Sequence, residues 1–356
     1  MKRRHWLGMA GAGLVSLILA RRGCSREPDP DTLQSLAARR GLTWGAATST
    51  AQLQDADFRA LLLQQVGLLV PEWQMKWDQL QPRPDGFEFA AADALLRFAR
   101  QHRLGLRGHT LVWHQQLPGW LETMAPANCA AVLERYIRTV VEHYRGQLQS
   151  WDVVNEPIAE DGSGLRRTIW LDSLGPNYID RALRWARAAD PSTPLVINEY
   201  GLEGDDPTTA RKREQMLTLL RSLRQQGAPV QALGLQAHLY ATDTGPTFRT
   251  LPTFLRQISD LGLDLYVTEL DVNDQALPAA IPERDARVAA VYGDFLAAVL
   301  PQPRLKLICG WGLSDRYTWL NQAFPRADGL PQRPLSFSQD LQPKPALMKI
   351  MSSLML

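Results

Sequence analysis

Three cysteines, a nearly balanced charge and no long apolar run set the first limits on this chain. A protein of 356 residues with so few cysteines cannot rest on a disulfide framework, and no CxxC or comparable metal-ligand spacing occurs. The 39 basic and 37 acidic residues leave a formal net charge of +2, which gives no reason to expect a nucleic acid or an anionic membrane as partner. No low-complexity linker, internal duplication or second-domain boundary is visible. What remains is 45% hydrophobic and 21% charged, ample for one large core. Eleven tryptophans exceed what such a core usually needs. Flat aromatic rings suit the apolar faces of sugars, although tryptophan content alone mostly reflects packing.

Residues 1–28 read as a targeting segment: Lys2-Arg3-Arg4 precedes an apolar, glycine-bearing stretch from Trp6 to Ala20. The paired arginines suggest a twin-arginine export signal and hence a periplasmic or extracellular protein. The stretch falls short of the roughly 20 apolar residues of a membrane span. No small-x-small cleavage site follows it, so attachment through this segment stays open. Arginines before Cys24 fit poorly with lipid attachment there. Cys309 in an apolar run and Cys129 beside a helix read as inert thiols.

From residue 29 to 356, short β-type runs alternate with amphipathic helical stretches, the pattern of repeated βα units around a parallel sheet. Eight candidate strands are Leu42 to Ala46, Val66 to Val70, Gly105 to Trp113, Ser150 to Asn155, Leu195 to Glu199, Ala232 to His238, Leu263 to Glu269 and Leu305 to Trp311. Helices are expected at Phe89 to Gln101, Ala130 to Tyr144, Tyr178 to Ala189, Thr208 to Gln226, Leu251 to Leu261 and Glu283 to Val299. The fold class is α/β, a single (β/α)8 TIM barrel.

In such a barrel the active face is built from the C-terminal strand ends. Polar residues cluster there: Glu72 and Lys76, His109, Trp113, His114 and Gln116, Asn155 and Glu156, Glu199 and Tyr200, Gln236 and His238, Glu269 and Asp271, then Trp311, Asp315 and Trp319. Any one of them is most simply a satisfied structural group; seven consecutive strands ending this way point to a site. Two apolar runs each finish on a glutamate, Glu156 and Glu269, and cleavage of a glycosidic bond needs two carboxyls.

Gly108-His109-Thr110-Leu111-Val112-Trp113-His114, Trp151-Asp152-Val153-Val154-Asn155-Glu156-Pro157 and Val267-Thr268-Glu269-Leu270-Asp271 together resemble glycoside hydrolase family 10, chiefly endo-β-1,4-xylanases. The resemblance runs from about residue 40 to the C-terminus. It implies a retaining double displacement with Glu156 as acid/base and Glu269 as nucleophile. Glu156 must carry its proton near neutral pH while Glu269 is ionised, and the roles reverse once Glu269 is bonded to sugar. By the same resemblance His238 orients Glu269 with Asp271 behind it, and Asn155 contacts the sugar 2-hydroxyl. Glu72, Lys76, His109, Trp113, Gln116, Tyr200 and Gln236 surround the sugars. Trp311 and Trp319 form a roof and wall that a hexose hydroxymethyl would meet, which favours a pentose polymer.

Two departures touch specificity. The family's Pro-Glu-Asn-x-Met-Lys-Trp reads Pro71-Glu72-Trp73-Gln74-Met75-Lys76-Trp77 here, replacing an asparagine that binds the second glycone sugar. Glu199-Tyr200-Gly201 stands for acidic-Tyr-Asn. A β-glycanase or β-glycosidase of the same fold with altered glycone preference is therefore the alternative. A metal-dependent hydrolase using His109, His114 and His238 lacks ligand spacing, and a non-catalytic glycan-binding barrel would not need both glutamates. The expectation is a monomer acting on a β-1,4-linked polysaccharide such as xylan, with no cofactor, no metal, no nucleic acid and no required protein partner.

Overall fold

The computed structural model describes residues 30–242 and 245–356, so the export segment and Cys24 lie outside the described residues. Nine parallel-paired strands occur in chain order: β1 Thr43–Thr48, β2 Leu68–Pro71, β3 Gly105–Gly108, β4 Ser150–Asn155, β5 Leu195–Glu199, β6 Ala232–Leu235, β7 His238–Tyr240, β8 Asp264–Asn273 and β9 Leu305–Gly310. Each of β1 to β5 pairs with the next; β6 then pairs with β8, β8 with β9 and β9 with β1, which closes an eight-stranded barrel. Helices between the strands cover its outside, as the alternating pattern requires.

Residue alternation along the strands divides the core into two layers. Leu68 and Val70 of β2 pack inside the barrel with Ala47, Leu307, Cys309 and Trp311, while Leu69 joins the cluster under the helices. The helix Tyr178–Ala189 buries Ile179, Ala182, Leu183 and Ala186 at spacings of three and four. Each fully buried large aliphatic side chain contributes about 1.5–3 kcal/mol. Cys129 and Cys309 are buried free thiols. Among the described residues no helix is long and apolar enough to cross a membrane.

Strands β4 and β5 match the expected bounds. The other six differ: the first is observed at Thr43–Thr48, the second at Leu68–Pro71 and the last at Leu305–Gly310, shifts of one or two residues, while the remaining three differ in ways that shape the site. The ladder of β3 stops at Gly108 instead of running to Trp113, with only an isolated bridge from Val112 to Val154 beyond. There the Thr110 hydroxyl and the Leu111 N–H both donate to the Asp152 carbonyl, and this shared acceptor breaks the one-to-one pattern. The sixth strand ends at Leu235, because the Ala237 N–H goes to the buried Glu203 carboxylate and Ala237 takes φ +60°. After this kink, β7 begins with His238 directly opposite Asp271. Strand β8 continues past Glu269 to Asn273, long enough to supply that partner.

Helices at Leu33–Arg39, Ala56–Gln65, Ile169–Leu174 and Pro345–Met355 complete the fold. Thr32, Asp55 and Thr168 cap the first three by accepting first-turn N–H groups.

Candidate active site

A cavity of about 570 Å³ opens at the C-terminal ends of the strands. It gathers Glu72, Lys76, His109, Trp113, Gln116, Asn155, Glu156, Tyr200, Gln236, His238, Glu269, Asp271, Trp311 and Trp319. Glu199 and Asp315, also expected on this face, lie elsewhere. The Glu199 carboxylate turns to the helix layer, bonding Lys212 Nζ at 3.2 Å and the Ile158 N–H at 2.9 Å. Successive strand residues face opposite ways, so Asn198 takes the inward position. Asp315 is buried against Lys344 Nζ at 2.8 Å and the Leu335 N–H.

Glu269 is held at both oxygens. Asn198 Nδ2 donates to Oε1 at 2.6 Å, and His238 Nε2 lies 3.3 Å from Oε2. His238 Nδ1 is 2.8 Å from Asp271 Oδ1, while Asp271 Oδ2 accepts the Trp319 indole N–H at 2.7 Å. Burial alone would strip the His238 proton, but the charges of Asp271 and Glu269 and hydrogen bonds to both raise its pKa well above the ordinary value. Both ring nitrogens then donate. Burial would likewise raise Glu269; the charges of His109 and His238 and the donors His238 and Asn198 outweigh it and bring the pKa to about 2.

Beneath Glu269, ionisable side chains stack down the barrel interior. His109 Nδ1 stands 3.9 Å from Glu269 Oε1 and 3.0 Å from Asp152 Oδ2. Arg107 Nη2 donates to Asp152 Oδ1, and Arg107 Nε donates to Ser150 Oγ at 2.8 Å. Arg107, His109 and Asp152 are all buried. Asn198 reaches its place because Gly234 has no side chain: an added Cβ there would stand 2.3 Å from Asn198 Oδ1.

Glu156 directly follows β4 in the left-handed region at φ +58°, just before Pro157. A non-glycine residue there costs about 1–3 kcal/mol and persists only where its surroundings impose it. Here the Glu156 N–H bonds the Asn198 carbonyl at 2.8 Å, and Arg166 Nε donates to the Glu156 carbonyl at 3.0 Å. Oε1 accepts from Gln236 Nε2 at 3.1 Å and Asn155 Nδ2 at 3.2 Å; His114 Nδ1 lies 3.7 Å from Oε2. The Asn155 carbonyl oxygen takes Asn198 Nδ2 at 2.9 Å and Gln236 Nε2 at 3.2 Å, so only its amide nitrogen remains to meet a ligand. One amide network thus joins the two carboxyls.

Aromatic rings furnish the walls. Lys76 Nζ sits 4.7, 5.0 and 6.0 Å from the ring centres of Trp73, Trp113 and Trp311. Burial lowers the Lys76 pKa against the pull of Glu269 and Glu72. Glu72 accepts Gln52 Nε2 at 2.7 Å, and burial pushes its pKa up to about 7 despite Lys76. Trp311 packs edge-on to His109 at 5.3 Å, and Trp319 lies 5.1 Å from His238. The Gln116 carbonyl accepts the Asp78 N–H at 3.1 Å. Arg166 Nη2 donates to the Tyr200 hydroxyl at 2.7 Å.

Sequence reasoning missed Asn198, Arg166 and the cavity-lining Tyr240. Asn198 could have been found from the alternation along β5, whereas Arg166 sits in a loop with no periodic signal. Among the described residues no His, Cys, Asp and Glu group is arranged to hold a metal ion. His109 and His238 present their Nδ1 atoms to Asp152 and Asp271.

Comparison with known proteins gives a consistent result. The family model described as "Glycosyl hydrolase family 10" matches residues 32–353. Endo-1,4-beta-xylanase B of Thermotoga neapolitana is 32% identical over 345 residues, covering 95% of this chain and 96% of that protein. An endo-1,4-beta-xylanase of Agaricus bisporus is 36% identical over 297 residues, covering 82% and 86%. The crystal structure of xylanase 10B from Thermotoga petrophila RKU-1 in complex with xylobiose superposes with a TM-score of 0.84 at 31% identity, covering 91% of this chain and 97% of that one.

Proposed function

The chain belongs to glycosyl hydrolase family 10, and from that membership we infer that it is an endo-1,4-β-xylanase hydrolysing internal β-1,4 linkages of xylan. The observation that carries the chemistry is the contrast between the two carboxyls. Glu269 is locked by cationic and amide donors that hold it ionised near pKa 2. Glu156 stands across the amide network on a strained turn.

In the proposed reaction Glu269 attacks the anomeric carbon as Glu156 gives its proton to the departing glycosidic oxygen. A glycosyl ester of Glu269 forms and the chain beyond the cleaved bond leaves. Glu156, now a carboxylate, takes a proton from water, whose oxygen attacks the same carbon and frees Glu269. Attack from opposite faces in the two steps retains the anomeric configuration, the outcome implied by the family resemblance. His238 and Asp271 orient the nucleophile, and the Asn155 amide nitrogen meets the 2-hydroxyl, where a hydrogen bond strengthens in the transition state. Trp311 and Trp319 crowd the place of a hexose hydroxymethyl. The charged and apolar pattern of residues 1–28 supports export, which cell fractionation tests.

The deciding experiment is phenol release by the leaderless protein from an aryl β-xylobioside and an aryl β-cellobioside. Preference for the xylobioside is expected, with turnover abolished in folded Glu269→Ala. A folded protein inactive on both, or an active Glu269→Ala variant, overturns the assignment.

A further inference from the structure

Gln236 and His238 hold the two carboxyls of the proposed reaction, and a single residue separates them. Gln236 Nε2 donates to Glu156 Oε1 at 3.1 Å and to Asn155 Oδ1 at 3.2 Å. His238 Nε2 lies 3.3 Å from Glu269 Oε2, and its Nδ1 lies 2.8 Å from Asp271 Oδ1. The conformation of Ala237 decides whether both side chains can serve the same cavity at once.

That conformation makes a register shift. Leu235 stands opposite Val267 before it and His238 opposite Asp271 after it, so that three steps on one strand match four on the other. Without the shift His238 would stand opposite Leu270. Directly paired residues of neighbouring strands project to the same side, and successive residues to opposite sides. Leu270 belongs to the apolar layer under the helices, whereas Asp271 faces the cavity. An unshifted His238 would therefore turn away from both Asp271 and Glu269. Ala237 takes φ +60° to make the shift, a conformation that a residue with a Cβ holds only where its surroundings impose it.

A buried carboxylate imposes it. Glu203, on the segment that follows β5, is 4% exposed and lies outside the cavity lining. Its Oε1 accepts the Ala237 N–H at 2.9 Å, and its Oε2 accepts the Leu202 N–H at 2.7 Å. The second bond ties the carboxylate to its own segment. Arg213, from the helix Pro207–Gln225, fixes that segment in turn: Nε donates to the Leu202 carbonyl at 2.6 Å and Nη2 to the Glu203 carbonyl at 2.9 Å. The β8 side of the shift is closed by the Glu269 N–H on the Gln236 carbonyl at 3.0 Å and the Asp271 N–H on the Ala237 carbonyl at 3.3 Å.

We propose that Glu203 is a positioning residue for the reaction: by binding the Ala237 N–H it locks the one-residue shift that brings Gln236 to the acid/base and His238 to the nucleophile together. The proposal rests on the xylanase reading, which makes Glu156 and Glu269 the reacting carboxyls.

The test is Glu203→Gln, which keeps the side-chain shape but offers one acceptor oxygen to two N–H groups. On an aryl β-xylobioside kcat should fall about 10²-fold with KM little changed, because a misplacement of about 1 Å costs that much while the sugar contacts remain. Burial raises the Glu269 pKa, and against it the charge of His109 and the hydrogen bond and charge of His238 hold the value near 2. Displacing His238 should therefore move the acid limb of kcat/KM upward by roughly 1 pH unit. In an Ala237→Gly background, where φ +60° needs no enforcement, the loss caused by Glu203→Gln should shrink to about tenfold. Leu220→Ala, which opens a cavity in the helix Pro207–Gln225, should lower Tm without moving the limb. Glu203→Asp, whose shorter stem reaches one of the two N–H groups, carries the same comparison if Glu203→Gln does not fold. Unchanged kcat and acid limb in the folded variant would overturn the proposal. So would equal losses in the two backgrounds, or an equal limb shift in Leu220→Ala. Failure of the xylanase reading shows separately, as wild-type inactivity on the xylobioside.

Discussion

Replacing Asn198 by alanine isolates one of the forces that keep Glu269 ionised. The Asn198 amide gives Glu269 Oε1 a 2.6 Å hydrogen bond and Asn155 Oδ1 one of 2.9 Å, and accepts the Thr268 hydroxyl at 2.7 Å. The other two partners keep alternatives: Thr268 Oγ1 also donates to the Leu235 carbonyl, and Asn155 Oδ1 retains Gln236 Nε2. The damage therefore concentrates on Glu269. A hydrogen bond to a charged group contributes about 1.5–3 kcal/mol, and 1.36 kcal/mol corresponds to one pH unit. Starting from a pKa of about 2, the acid limb of kcat/KM should move upward by roughly 1–2 pH units. Asn198→Asp should move it farther, since a second carboxylate beside Glu269 opposes its ionisation. A depressed carboxylate pKa contributes stability that is fully present above the unfolded value of 4.5 and is lost as pH falls towards 2. Asn198→Ala should therefore also lower stability at neutral pH by about 1.5–3 kcal/mol. The assay is the pH profile of aryl xylobioside hydrolysis, with circular dichroism confirming the fold at each pH. An acid limb unmoved in folded Asn198→Ala would refute the reasoning.

Further tests address the acid, the rim and the barrel interior. Glu156→Ala should lose about 10²–10⁴-fold activity on substrates with poor leaving groups and far less on activated aryl glycosides; a uniform loss would contradict its role as the acid. Because burial raises the Glu72 pKa from 4.5 to about 7, its stabilising share is full below 4.5 and is lost as pH rises through 7. Glu72→Gln should thus flatten the fall of Tm across that window, and an unaltered slope would dismiss the raised value. Arg107→Leu leaves Asp152 buried without its cation and should cost about 3–5 kcal/mol in denaturant unfolding; a loss below 1 kcal/mol would count against that account.

Much of this arrangement was legible because local and tertiary signals coincide. The runs Ser150 to Asn155 and Leu195 to Glu199 became strands with those bounds, since each is apolar, β-branched and stopped by a polar residue or proline. The errors arose where side chains intervene from afar. Glu203 takes the Ala237 N–H and splits the sixth strand, and no pattern within Ala232 to His238 announces a partner from a different loop. The Thr110 hydroxyl, donating to the Asp152 carbonyl, interrupts the third strand's ladder in a similar way. Glu199 drew attention as a strand end, yet the alternation along β5 sends it to Lys212 and sends Asn198 inward. Helices such as Ala56–Gln65, whose apolar face is mixed with Gln65, gave little periodic signal and are set by Asp55 at the cap and by packing of Phe58 and Leu62.

The file of ionisable side chains from Arg107 through Asp152 and His109 to Glu269 lies within the barrel, whereas Trp73, Gln116 and Tyr200 stand on the segments that follow the strands. Reactivity and recognition are thereby built into different parts of the molecule. Mutational drift or deliberate library design confined to the rim can retune which polymer is held while the loaded carboxylate beneath stays intact, so new preferences can be explored without rebuilding the engine. Changes on the barrel floor have the opposite character: they reach the reaction from a place no substrate touches, and a search restricted to residues around the sugar would overlook them.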